Sequence, residues 1–110
     1  MSNVGAVEKD VVAAAYEAEA ELASRMSRRE MRKAGLTVLN VRQATRQLAR
    51  NGDITSDMPQ ERIRDIVLDQ LYIDNPKGFE NLGAPDWDAI IAFITKLLPL
   101  ILQILAIFGM

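Results

Sequence analysis

An all-α fold of about four helices is what this sequence predicts, and three observations carry the prediction. Long stretches lack Pro and Gly and are rich in Ala, Glu, Arg, Leu and Met, which are good helix formers. Apolar residues recur at steps of three and four over most of the chain, the spacing of one helix face. No run alternates with a two-residue period for long enough to argue for a strand.

The first helix is expected over about 4–34. Val4, Val7, Val11, Ala14/Ala15, Ala18, Leu22 and then Met26 form its stripe, which is narrow and made of small residues, and therefore suited to close helix packing. Its acidic first half and basic second half agree with the helix macrodipole. Gly35 either breaks or bends this helix, and a second follows over about 37–50, with Leu36, Val38, Leu39, Val41, Ala44, Thr45 and Leu48 as its apolar set. Asn51-Gly52 predicts a left-handed C-terminal cap, with Ile54 placed for the hydrophobic contact that accompanies one.

A third helix is expected over about 58–74. Asp57, Pro59 and Gln60 have the order of an N-terminal cap, with Pro in the first turn and Gln at capping-box spacing. Ile63, Ile66, Val67, Gln70 and Leu71 fall on one side, with Arg62, Arg64, Asp65 and Asp69 largely on the other, which predicts a charged solvent face there. Asn75-Pro76 stops the helix, because a residue before Pro is pushed out of helical geometry. Pro76, Gly78, Gly83 and Pro85 then predict a turn-rich linker over 75–86, tucked down by Phe79 and Leu82.

The last helix, about 87–108, is apolar nearly all round. Of its 22 residues 13 are Ile, Leu or Phe, and the clearly polar ones are Asp88, Thr95, Lys96 and Gln103. At 1.5 Å per residue such a helix is about 33 Å long, enough to cross a bilayer. On an insertion scale the thirteen apolar residues contribute about −4 to −8 kcal/mol, against roughly +3 for one central Lys, with Pro99 and Gln103 subtracting further. Length and composition therefore permit a span without requiring one.

Arrangement adds to the sum. Asp88, Ala92, Lys96, Pro99, Gln103 and Ala106 recur at steps of three and four, so they draw one polar or small stripe along an otherwise apolar cylinder. Trp87, Ile90, Ile91, Phe93, Ile94, Leu97, Leu98, Leu100, Ile101, Leu102, Ile104, Leu105, Ile107 and Phe108 form the rest, and are the expected membrane or assembly surface. Three settings suit this pattern: the middle of a helical bundle, a membrane bundle with the stripe inward, or a helix lying in the membrane interface. Trp87 at the start fits an interfacial position, whereas Asp86 and Asp88 beside it lack the basic character that orients a span.

The 110 residues leave room for one domain, read as a helical region over 1–74, the 75–86 linker and the apolar segment 87–110. Charge is segregated along it. Residues 1–24 set one cation against five carboxylates, residues 25–50 set seven Arg and Lys33 against Glu30, and residues 51–110 set four cations against nine carboxylates. Within the basic block Arg25, Arg28, Arg29, Arg32 and Lys33 cluster, and Arg42, Arg46 and Arg50 follow at i, i+4, i+8. Such rows can track phosphates of nucleic acid or anionic lipid. The favoured reading is a solvated face that pairs with the acidic flanks, since no aromatic is interleaved for base stacking.

The chain has no Cys and no His, which removes thiolate nucleophiles, disulfides, imidazole bases and nearly every zinc, haem or iron–sulfur site. Gly-rich phosphate loops and nucleophile elbows are also missing from the sequence, and the 51–55 segment lacks the ligand alternation of a calcium loop. No catalytic residue, cofactor, metal or small-molecule substrate is therefore expected. The first residues show neither a basic n-region nor an apolar h-region, so no signal peptide is expected, and location stays open.

The expected function is a non-enzymatic structural protein that self-associates as a homo-oligomer, using 87–108 as its membrane or assembly anchor. A virion component would have this character. The alternatives are a nucleic-acid-binding accessory protein using 25–50, and a small pore-forming or lysis-type membrane protein with Lys96 and Gln103 lining the channel.

Overall fold

The computed structural model describes residues 8–108, and these contain seven helices and no strand. In chain order they are α1 Lys9–Leu22, α2 Arg28–Ala34, α3 Val38–Arg50, α4 Gln60–Asp74, α5 Pro76–Glu80, α6 Trp87–Lys96 and α7 Leu98–Phe108. The all-α expectation stands, and the helix count rises because two of the anticipated helices are each divided in two and the anticipated linker holds a short helix of its own.

The helix expected over 4–34 is interrupted after Leu22. Ser27 is extended (φ −68°, ψ 151°), its hydroxyl accepts from the Glu30 N–H, and the Glu30 carboxylate accepts from the Ser27 N–H in return. This reciprocal capping box starts a new helix by satisfying donors that a helix start otherwise orphans. Val4 and Val7 of the anticipated stripe lie outside the described residues, while Ala15, Ala18 and Leu22 are buried. Gly35 ends α2 in left-handed geometry (φ 73°), and the Leu36 N–H closes the turn on Met31 O at 2.8 Å. The two helices on either side are thus separate.

α3 matches the reading closely. Thr37 caps it through the Asn40 N–H, Gly52 is left-handed (φ 76°), the Asp53 N–H reaches Leu48 O at 2.9 Å, and Ile54 is buried. α4 begins two residues later than expected, and Asp57 is not its cap. Its carboxylate takes the Thr55 hydroxyl, and Pro59 stands at the helix start without a side-chain bond to it.

The 75–86 linker contains a helix of its own, since Pro76 stops α4 and then serves as the first residue of α5, where its missing N–H costs nothing. α5 packs on α2 so closely that Gly78 has no room for a side chain: a Cβ there would stand 1.9 Å from Lys33 O. Phe79 is buried, as its tucking role requires, and Leu82 is half-buried.

The segment expected as one helix over 87–108 is two, bent by 46° at Leu97. Pro99 is the cause, because it has no N–H and its ring collides with the carbonyl four residues back. The Leu97 N–H shares itself between Phe93 O at 3.2 Å and Ile94 O at 3.0 Å as the turn tightens, and Pro99 then falls in the first turn of α7.

One core unites the helices. Ala15, Ala18 and Leu22 of α1, Val41, Ala44 and Leu48 of α3, and Ile63, Val67 and Leu71 of α4 close around α6 and α7. The radius of gyration is 13.6 Å, against about 13 Å for a compact chain of ~100 residues, so the C-terminal pair is folded in and not projecting.

Candidate functional site

α6 and α7 carry most of the residues expected to act, and the fold sorts them by face. Ile90, Phe93, Ile94, Leu97, Leu98, Leu100, Ile101, Ile104 and Leu105 are buried against α1, α3 and α4. Ile91, Leu102 and Ile107 are half-buried, and Trp87 and Phe108 are exposed at 46 % and 39 %. No single described helix is long and apolar enough to cross a membrane, and only the bent α6–α7 pair meets that test by length and composition.

The polar stripe faces outward and is engaged by α1, which runs antiparallel to the pair. At one end the Glu8 N–H donates to Gln103 Oε1 at 2.9 Å. Further along, Lys96 Nζ donates to Glu21, and Arg25 lies 3.6 Å from Asp86. Asp86 also caps α6, its carboxylate accepting from the Ala89 N–H at 3.1 Å. Lys96 and Gln103, singled out above as pore-lining groups, thus act here as polar staples between helices. Between α1 and α6 the Glu21–Lys96 and Arg25–Asp86 pairs line a surface groove of about 360 Å³, together with Ala18, Leu22, Asp88, Ala89, Ala92 and Phe93.

α7 is the charge-free part of the surface. It contains no Asp, Glu, Lys or Arg, and its outward strip is Pro99, Leu102 and Ala106, with Gln103 at the edge held by Glu8. α3 runs alongside with its C-terminal end beside that of α7, so that the Arg50 guanidinium sits 5.7 Å from the Phe108 ring centroid. Trp87 meets its own fold, its ring stacked at 11° on Phe79 with 6.1 Å between centroids, and Phe79 meets Tyr72 at 5.5 Å.

The basic residues divide in two. Arg25 and Arg28 turn to acidic partners, Asp86 at 3.6 Å and Glu19 at 3.7 Å. Arg29, Arg32 and Lys33 lie exposed on α2. Arg42 and Arg46 are half-buried and Arg50 is exposed on α3, and none of these three has a carboxylate within 4.0 Å among the described residues. Arg42 Nε is buried there with no hydrogen-bond partner. Asp65 and Asp69 are exposed on α4, with Arg64 Nε donating to Asp65 at 3.0 Å.

Sequence reading missed Glu19. One of its carboxylate oxygens accepts from the Val38 N–H at 2.6 Å, which satisfies an orphan donor of α3 from across the fold, while the other faces Arg28. No local pattern signals such a cap, because its partner is 19 residues away. The Ser27-x-x-Glu30 box was readable as a motif and was masked by the good helix formers around it.

No protein-family model matches this chain, and neither do curated proteins or solved structures.

Proposed function

We propose that this chain is a non-enzymatic assembly protein that binds a second copy of itself through the outward strip of α7. The observation that carries the reading is the strip itself: exposed Pro99 and Ala106 beside half-buried Leu102 on a helix without charge, continued by half-buried Ile107. A charge-free face meets its own copy without like-charge repulsion, as a two-fold contact requires, whereas the acidic face of α1 or the basic face of α3 would repel itself. A membrane role for α6–α7 remains compatible by length, but inserting the pair would strip α1, α3 and α4 of the surface that buries their own apolar faces.

Light scattering on the full chain during gel filtration tests the proposal. The wild type runs as an oligomer, and Ala106→Glu, at an exposed position of the strip, runs as a monomer with unchanged far-ultraviolet circular dichroism. A wild type that stays monomeric at ~100 μM, or an Ala106→Glu variant with undiminished mass, contradicts it. Recovery of the wild type only in membranes resistant to alkaline carbonate would favour the membrane anchor instead.

A further inference from the structure

The side of α3 that is not packed into the core is rich in Arg and Gln and free of carboxylate. From Met31 to Gly52 the chain holds five cations and no carboxylate. With Val38, Val41, Ala44, Thr45 and Leu48 buried, helical periodicity gathers half-buried Arg42 and Arg46 and exposed Arg50 into one row, with exposed Leu39, Gln43 and Gln47 beside it. Successive Arg positions are about 6 Å apart along the axis, at 1.5 Å per residue.

We propose that this outward face of α3 is a docking surface for duplex nucleic acid. Charge complementarity selects a polyanion. Arg25, Arg28 and Arg64 each meet a carboxylate within the fold, while this row, like Arg29, Arg32 and Lys33 of α2, has no acidic partner among the described residues. Planar Arg and Gln side chains interleaved on one face are the groups that pair with base edges and phosphates. A helix of 13 residues, about 20 Å long, is of the size a major groove admits. α3 carries no aromatic residue on which single-stranded bases could stack, which favours the duplex over a single strand.

The test uses the full chain, a fluorescent 20-base-pair DNA duplex, a single strand of the same length, and vesicles containing phosphatidylserine. The duplex binds the wild type more tightly than the single strand does. Its log affinity falls with log salt at a slope of about −2 to −3, the value for roughly three phosphate contacts. The triple variant Arg42→Gln, Arg46→Gln, Arg50→Gln loses at least tenfold in affinity and its slope flattens. Lys9→Gln, Arg29→Gln, Lys77→Gln removes the same charge from other helices and loses less than threefold. Should the triple variant fold poorly, the salt slope of the wild type still decides. A flat slope, equal losses for the two triple variants, preference for the single strand, or binding to the vesicles alone overturns the proposal.

Discussion

α3 and α7 lie side by side with their C-terminal ends together, yet one carries three Arg on its outer face and the other carries no charge at all. Both bury a comparable inner face, so the core does not explain the difference. What separates them is the demand each makes on its outer surface. α3 is held at its ends by polar devices, the Thr37 cap, Glu19 on the Val38 N–H and the Gly52 turn. α7 has Pro99 in its first turn and is held mainly by burial, with Gln103 tied to Glu8 and Phe108 beneath Arg50. A helix fixed by caps is free to spend its outer face on solvent or a polyanion. One fixed by burial has surplus apolar surface, and this is what the self-association proposal uses.

The largest loss comes from a change inside the core. Ile101→Asp places a carboxylate at a fully buried position of α7, costs about 4–5 kcal/mol or more, and abolishes cooperative unfolding in urea followed by circular dichroism. Gln47→Glu, a charge on the exposed face of α3, shifts the same midpoint by no more than about 0.5 kcal/mol. Equal effects would remove the distinction between the two helices.

Backbone contact comes next in size. Gly78→Ala forces α5 off α2, since the added methyl meets the Lys33 carbonyl, and costs about 3 kcal/mol in the same experiment. A loss below about 1 kcal/mol would mean that the α2–α5 packing yields easily. Removing a cap is milder: Ser27→Ala costs about 1 kcal/mol, with faster amide exchange confined to α2. Smallest of all are the exposed staples, where Lys96→Ala or Arg25→Ala each costs less than about 0.5 kcal/mol, an effect that 1 M salt removes.

Much of this architecture was legible because it rests on local rules. The Asn51-Gly52 turn with Ile54 beneath it, the stop at Asn75-Pro76 and the inner faces of α3 and α4 follow from residues within a few positions of each other. The apolar run on both sides of Pro99 reads as one continuous helix, and the 46° bend that divides it comes from the proline's missing N–H and its ring. Asp57 had the right spacing for a cap and a nearer partner in Thr55. α5 was hidden because a five-residue helix containing Gly has no propensity signal, and it exists through packing on α2. Of the proposed contact strip, Leu102 and Ala106 belong to patterns already visible in the sequence. Which side of the cylinder α1 would occupy was not, since that depends on contacts such as Glu21 with Lys96, 75 residues apart.

The most direct test of the central claim uses the absence of cysteine from the chain. Ala106→Cys introduces a single thiol on the exposed strip of α7, and Arg29→Cys places one on α2 as a control. Under mild oxidation at micromolar concentration, the first variant forms a disulfide-linked dimer within minutes and the second remains largely monomeric on a non-reducing gel. Cross-linking of both at the same slow rate would contradict the claim that copies of this chain meet through the outer face of α7.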